Sequence, residues 1–276
     1  MTDHAAHWPL VAFTSLAIAG AGLVTASAYF ELVHNGLPAA GTMAAGAVLI
    51  GTGLLVSLGH LGRKRRAALA VRGAGRSALS NEALLAGCAL AAAAAAAAME
   101  LSGSRGPVLT AIAGVSNAAF LVSIGLVYSV RGQRSWRGYS AVTPLTGGLA
   151  FGAIAVQTTA GLGGGSLGTL LCIAADALIF SRRWRRLTAM PLTEAMLANP
   201  WSVHRSPLLG ARFFLLDVVP SFVLAVLPTP LAVLSAAAGL IVDRFGFYAL
   251  AVQHTTEYEI ADIEAQLASI ARSARN

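Results

Sequence analysis

The segment HLGRKRRAALAVRGAGRSALSNE, residues 60–82, separates two apolar runs that are each long enough to cross a lipid bilayer. It begins at His60, ends at Glu82 and carries six cations between them. Two long apolar runs joined by a charged loop predict a helical hairpin whose turn lies at a membrane surface. An ionisable residue at the end of a spanning helix is a candidate functional residue, because burying its charge in hydrocarbon is costly. Alternatively, the basic loop within residues 60–82 has no binding role and only sets the orientation of the helices across the membrane.

The composition of the whole chain predicts an integral, multi-pass membrane protein. Hydrophobic residues make up 56% of its 276 residues, and charged residues make up 11%. A water-soluble protein of this length needs far more polar surface, whereas a lipid-facing bundle exposes apolar side chains without penalty. The 19 Lys and Arg residues outnumber the 12 Asp and Glu residues. Orientation across a membrane explains this excess, so we expect no nucleic-acid partner.

The apolar runs predict an all-α bundle of about eight transmembrane helices. Lipid cannot satisfy free backbone groups, and long continuous runs favour helices over the alternating pattern of a barrel. The sixth run is the shortest and contains Asp176. The predicted spans are approximately residues 8–33, 39–59, 79–99, 107–130, 142–160, 167–180, 208–227 and 231–252.

Two regions follow from these runs. Residues 1–254 form the predicted eight-helix domain, and residues 255–276 form a short tail. The tail carries charged residues among apolar ones at helical spacing, which predicts an amphipathic helix at the membrane surface or against a partner.

Basic residues are concentrated in the loops after the second, fourth and sixth predicted spans, which all lie on one side of the membrane. The opposite loops contain only Arg105. The positive-inside rule therefore places the basic loops in the cytoplasm and, with eight spans, both termini as well. The basic residues assigned to these loops are Arg63, Lys64, Arg65, Arg66, Arg72 and Arg76, then Arg131, Arg134 and Arg137, then Arg182, Arg183, Arg185, Arg186 and Arg205. Arg212 is assigned to the first turns of the seventh span.

The cysteines and histidines limit the chemistry of this chain. Cys88 and Cys172 stand singly in different spans, so an iron–sulfur cluster with four thiolates is excluded. The six histidines include no pair deep within facing spans, which argues against haem. We therefore expect no metal site in this chain.

Small residues such as the alanine run 91–98 predict close helix packing, and the glycines at 161–165 predict a turn.

Several short motifs resemble the DMSO reductase anchor subunit (DmsC) family. The strongest is the block HLG at 60–62, followed by Arg66 and Ala67 and by SALSNE ending at Glu82. The sequence HWPL at 7–10, then Phe13 and Thr14, and the pattern of Arg244 with Phe247 and Tyr248 are similar to that family too. The resemblance extends along essentially the whole chain.

The resemblance implies a bacterial inner-membrane subunit that binds quinone, either menaquinone or ubiquinone, and holds no redox cofactor of its own. Its partners would be an iron–sulfur electron-transfer subunit and a catalytic subunit that carries molybdopterin. The default reaction is menaquinol-dependent reduction of dimethyl sulfoxide in anaerobic respiration. Such a chain is either non-catalytic or a quinone-reacting subunit of an oxidoreductase complex.

The resemblance also implies roles for individual residues. His60 would contact a quinone oxygen, Gly62 would keep the turn close, Arg66 would support the site electrostatically, and Glu82 would accept or relay a proton. Quinol oxidation releases two electrons and two protons, so such a site needs hydrogen-bonding partners and a proton acceptor.

The other charged residues have simpler interpretations. Arg63, Lys64 and Arg65 depart from the family pattern, which is less basic after HLG, and we expect them to dock a partner or set topology. Glu82 could instead cap the third span. Asp176 would lie near the interface, and we expect Asp217, Asp243 and Arg244 to form structural contacts within the membrane.

Two other functions remain open at this stage. A secondary transporter would need a polar site near the bilayer midplane and matching repeated halves, and no convincing repeat is visible. A purely structural anchor would have lost the quinone site, against which His60, Arg66 and Glu82 argue. Within the anchor class, a cytoplasmic site face would favour an oxidative complex that reduces quinone, such as one oxidising sulfite or phenylacetyl-CoA.

Overall fold

The computed structural model describes residues 8–34, 40–60, 73–104, 106–128, 140–161, 166–189, 205–226 and 229–250. These residues form eight helices, and no strand occurs among them. The all-α bundle predicted from the apolar runs is therefore confirmed. The helices are α1 (Trp8–His34), α2 (Ala40–His60), α3 (Ala78–Leu101), α4 (Pro107–Val127), α5 (Thr143–Thr159), α6 (Leu167–Ala189), α7 (Arg205–Val226) and α8 (Pro230–Ala249).

Six of these eight helices are long and apolar enough to cross a membrane: α1 to α4, α7 and α8. The other two helices do not have both properties. α5 is shorter, with 17 residues, and α6 has 23 residues but carries arginines towards its end. The chain is a multi-pass membrane protein. That α5 and α6 also cross the membrane remains a prediction, as do the cytoplasmic termini.

The sixth predicted span was too short. α6 continues past Phe180 to Ala189, so the cations from Arg182 to Arg186 belong to the helix and not to a loop. The apolar run stops at Phe180, but the helix continues because Arg183 and Leu187 extend its buried face. The predicted tail at 255–276 lies outside the described residues.

Helix α1 occupies the centre of the bundle. It contacts α2, α4, α5 and α8, and it is the most buried of the six apolar spans. Successive helices run in opposite directions, so the starts of α1, α3, α5 and α7 share one end of the bundle with the ends of α2, α4, α6 and α8. We call this the basic end, because the sequence between the helices that end and begin there is rich in arginine. Trp8, which begins α1, stacks there on Phe245 of α8 with ring centroids 5.4 Å apart.

Glycine allows α1 and α5 to approach each other closely. A Cβ atom at Gly22 would overlap the backbone carbonyl of Gly148, and one at Gly152 would overlap the carbonyl of Gly22. Helices in a membrane associate largely through such close van der Waals contact. Gly161, which follows α5, has φ of +65°, and the turn predicted at that position is confirmed.

One face of the alanine run in α3 packs as predicted. Ala93, Ala96 and Ala97 are buried in a cluster with Met43 of α2 and Ala113 of α4. The remaining alanines of the run are mostly exposed, which suits a helix with one lipid-facing side.

Helix α7 contains a π-helical segment, Phe214–Val218. Pro220 follows it and lacks the N–H that would bond to the carbonyl of Leu216, which is a common cause of altered helix geometry. The hydroxyl of Ser235 on α8 donates a hydrogen bond of 2.7 Å to the carbonyl of Leu215. This bond satisfies a carbonyl group of the altered segment, as the membrane interior requires.

Candidate functional site

The predicted hairpin between α2 and α3 reaches the basic end of the bundle. α2 ends at His60, α3 begins at Ala78, and the two helices contact each other. The side chain of His60 and residues 61–72 lie outside the described residues, so Gly62, Arg63, Lys64, Arg65 and Arg66 have no structural placement. Their roles in quinone binding and in docking remain predictions.

Glu82 lies in the second turn of α3 and is buried, with 6% of its surface exposed. Its Oε1 atom has no hydrogen-bond partner among the described residues. Leaving a buried carboxyl oxygen unpartnered is costly, so such an atom in a folded protein calls for an explanation.

The alternative role of Glu82 as a helix cap is not supported. Ser77 occupies the N-cap position of α3, and the first turn of the helix contains no acidic residue. The side chain of Asn81 instead holds the preceding segment, because its Oδ1 atom accepts a hydrogen bond of 2.6 Å from the backbone N–H of Gly75. Glu82 is therefore not committed to helix capping.

A pair of tyrosines links α4 and α8 at the basic end of the bundle. The hydroxyl of Tyr248, near the end of α8, donates a hydrogen bond of 2.7 Å to the hydroxyl of Tyr128, which directly follows α4. The two tyrosine rings also meet edge to face, with their centroids 5.7 Å apart. The hydrogen bond and the ring contact therefore hold the end of α4 against the end of α8.

A second cluster of charges lies in the same end of the bundle and is centred on Arg212 of α7. Its Nη2 atom is 2.5 Å from Oδ2 of Asp176 on α6, and its Nη1 atom is 2.6 Å from Oδ2 of Asp217. The π-helical segment brings Arg212 and Asp217 together, because they are five residues apart. Asp176 also accepts a hydrogen bond of 2.7 Å from the hydroxyl of Thr146 on α5.

Asp243 of α8 completes this cluster. Its carboxylate pairs with the adjacent Arg244, and its Oδ1 atom is 3.2 Å from Nη1 of Arg183 on α6. Oδ1 is also 3.5 Å from Nε of Arg212. All six of these side chains are almost fully buried, and they provide three carboxylates and three guanidinium groups. We call Asp176, Arg183, Arg212, Asp217, Asp243 and Arg244 the ion-pair network.

Aromatic rings cover the guanidinium groups of the network. Arg212 lies over the ring of Phe180 at 4.0 Å from its centroid, and Arg244 lies over Phe247 at 4.9 Å. Such contacts stabilise cations that have been removed from water. The equal numbers of opposite charges and the covering rings explain how six ionisable groups are tolerated in an apolar bundle.

The family model of the DMSO reductase anchor subunit (DmsC) matches residues 1–177, which is more than half of the chain. The chain belongs to the DmsC family. No curated protein matches it. Membership of this family makes the chain the membrane anchor of a DMSO reductase-type complex and implies catalytic and electron-transfer partner subunits.

The match divides the site of this DmsC-family chain into two parts. It covers α1 to α5 and the first half of α6, and so it includes Glu82 and Tyr128. Most of the ion-pair network, from Arg183 onwards, and Tyr248 lie beyond the matched residues. Among the residues that the structure describes, no group of three His, Cys, Asp or Glu side chains is placed to hold a metal ion.

Sequence reasoning identified part of this arrangement in the DmsC-family chain. It placed Asp217, Asp243 and Arg244 in buried polar contacts, and the structure shows all three buried and paired. It assigned Asp176 to the interface, whereas this residue is fully enclosed by the bundle.

The sequence did not predict the place of four other residues in the site. Arg183 and Arg212 were attributed to topology or to the start of a span, although both are buried in the network. The spacing of Asp176, Phe180 and Arg183 along one helical face was a usable signal. Tyr128 carried no signal in the sequence, and Tyr248 entered only as part of a family pattern.

Proposed function

We propose that this anchor subunit binds quinone at the basic end of the bundle, where α2 ends and α3 begins, and exchanges electrons with an iron–sulfur subunit. His60, Gly62, Arg66 and Glu82 form the proposed binding site. The iron–sulfur clusters and molybdopterin belong to the partner subunits. The proposed setting is the bacterial inner membrane, and the default reaction is quinol-dependent reduction of dimethyl sulfoxide.

The unpartnered carboxyl oxygen of Glu82 carries this proposal. This oxygen is buried at the basic end of the bundle, where α2 ends at His60, and it makes no helix-capping hydrogen bond. A carboxylate in this position accepts a proton as the quinol is oxidised, while the histidine supplies a hydrogen bond to a ring oxygen. Two polar groups on adjacent antiparallel helices suit the two-proton, two-electron chemistry of a quinol.

We assign the basic residues after His60 to two roles, quinone binding and docking of the partner subunit. Arg66 lies in the part of the loop that resembles the family, and we assign it to the quinone site. Arg63, Lys64 and Arg65 are assigned to docking of the iron–sulfur subunit, because adjacent cations at a membrane surface attract an acidic protein surface.

The proposal is tested with His60→Ala and Glu82→Gln in membranes that contain the assembled complex. Dimethyl sulfoxide reduction is driven either by a naphthoquinol, which requires the quinone site, or by reduced viologen, which donates to the iron–sulfur clusters directly. Losing a hydrogen bond to a charged group costs about 1.5–3 kcal/mol, so we expect quinol-driven turnover to fall about tenfold or more. Viologen-driven turnover should not change.

Glu100→Gln is the matched control, because Glu100 lies on the same helix at the opposite end of the bundle. It should leave both rates at the wild-type level. Wild-type quinol-driven turnover in His60→Ala and in Glu82→Gln would refute the assignment of the site. A parallel loss of viologen-driven turnover would show that the substitutions disturb assembly and not quinone binding.

A further inference from the structure

The side of α6 that faces away from the bundle changes from apolar to cationic along its length. Leu167, Leu171 and Leu178 are 73%, 60% and 51% exposed. Arg182 and Arg185 follow in the same helix and are also exposed. At 3.6 residues per turn, all five side chains leave the helix within about 60° of one another. We call these five residues the outer face of α6.

The opposite side of α6 holds the helix in the bundle. Asp176, Arg183 and Leu187 are buried there, and the helix packs mainly against α5 and α7. Arg183 belongs to the ion-pair network, whereas neither Arg182 nor Arg185 forms an ion pair with another described residue. The two outward guanidinium groups are therefore available to an anionic ligand.

Contacts at the end of α6 hold these two arginines in position. Trp184 lies between them in sequence, and its ring contacts those of Phe180 and Phe213, with centroids 6.2 Å away in each case. Arg205 of α7 donates a hydrogen bond of 3.2 Å to the carbonyl of Thr188. These contacts join the last turns of α6 to α7. The backbone that carries the two arginines is therefore fixed before a ligand binds, which lowers the entropic cost of binding.

The spacing of the outer face matches the two parts of a phospholipid. Leu178 is about one turn from Arg182, so an apolar and a cationic side chain are neighbours on the helix surface. Leu171 lies eleven residues before Arg182, which corresponds to about 16 Å along the helix. An acyl chain that extends from a phosphate group at the arginines would therefore run along the leucines. An acidic protein surface would pair with the arginines and leave the leucines uncovered.

We propose that the outer face of α6 binds an anionic phospholipid, with its phosphate group on Arg182 and Arg185 and an acyl chain along Leu171 and Leu178. Arginine pairs with phosphate oxygens through two parallel N–H donors, so two arginines about one turn apart suit a single phosphate headgroup. Each basic residue at a membrane surface raises the affinity for anionic lipid about fivefold. This site does not depend on the proposed quinone site.

The test is binding of a fluorescent phosphatidylglycerol to the purified full chain in a mild uncharged detergent. Arg182→Gln and Arg185→Gln should each weaken binding about fivefold, and the double variant should weaken it about 25-fold. Arg182→Lys keeps the charge and should lose less affinity than Arg182→Gln. Phosphatidylcholine with the same acyl chains has no net charge and should bind the wild type more weakly, and equal binding of the two lipids would overturn the inference.

Arg76→Gln is the matched control, because Arg76 is an exposed arginine at the basic end that precedes α3. It should leave the affinity unchanged. An equal loss in this variant would overturn the inference, because it would show a general attraction between charges. Wild-type affinity in Arg182→Gln and Arg185→Gln would also overturn it, and if one of them does not fold, the other decides.

Two further outcomes would show that the ligand is not a lipid, and each would overturn the inference. Displacement of the fluorescent lipid by an excess of inorganic phosphate would show that the arginines bind free anions. Loss of a partner subunit from the purified complex of the double variant, with unchanged affinity for phosphatidylglycerol, would assign the outer face to protein docking.

Discussion

Replacing Arg212 by Met should destabilise the α6 to α8 part of the bundle strongly. Arg212 is 2% exposed and contacts Asp176, Asp217 and Asp243 at 2.5, 2.6 and 3.5 Å. Met keeps the apolar length of the side chain but leaves three carboxylates with only two guanidinium groups. Removing one partner from a buried ion pair costs about 3–5 kcal/mol, and we expect a loss of that size in the free energy of unfolding.

The two acidic partners on either side of Arg212 should differ in their contributions. Asp176 bonds to Arg212 and to the hydroxyl of Thr146, whereas the Oδ1 atom of Asp217 has no partner among the described residues. We expect Asp176→Asn to cost about 2–3 kcal/mol and Asp217→Asn to cost about 1 kcal/mol. The order of the two costs follows from the contacts.

The assay is unfolding of the purified chain in a mild detergent, followed through its helical signal. Arg182→Met is the matched control, because Arg182 is an exposed arginine of α6 and its loss should leave the unfolding transition unchanged. Equal stability of Arg212→Met and Arg182→Met would refute the view that the network holds these helices together. A greater cost for Asp217→Asn than for Asp176→Asn would refute the ranking.

Two further predictions concern helix packing and orientation. Gly22→Ala should lower the free energy of unfolding by about 1–3 kcal/mol in the same assay, because its Cβ atom would overlap the backbone of α5. Gly51→Ala on α2 is the control, because it adds a methyl group to open space and should leave the free energy of unfolding unchanged. Equal transitions for the two variants would contradict the close contact between α1 and α5. Reporter domains fused into the loops after α2, α4 and α6 should report from the cytoplasm, as the positive-inside rule requires. A signal from outside the cytoplasm would contradict this orientation. It would also remove the argument for an oxidative complex.

The fold was largely predictable because lipid imposes simple rules on sequence. Long apolar runs located all eight helices of the part of the chain that the structure describes, and the predicted ends were mostly within a few residues of those observed. The exception was α6, where hydropathy failed because the buried face continues through Arg183. A cation that is neutralised by a carboxylate on another helix has the same hydropathy in the sequence as one in a solvated loop.

The site was only partly predictable, for a related reason. Glu82 stood out because an isolated carboxylate at the start of an apolar helix is unusual. The pairing of Arg212 with Asp217 depends on a π-helical segment, which changes which residues share a helix face. The hydrogen bond between Tyr128 and Tyr248 joins residues that are 120 positions apart. Neither relationship is visible in the local pattern of a single sequence.

The most direct test of the anchor role is purification of the tagged chain from its native host in a mild detergent, with mass spectrometry of copurifying proteins and extractable quinone. We predict that a molybdopterin subunit and an iron–sulfur subunit copurify together with bound quinone. The identity of the large subunit would then indicate the substrate and the direction of electron flow. A chain that purifies without these subunits and without quinone, under conditions that preserve other membrane complexes, would contradict the account and favour a transporter.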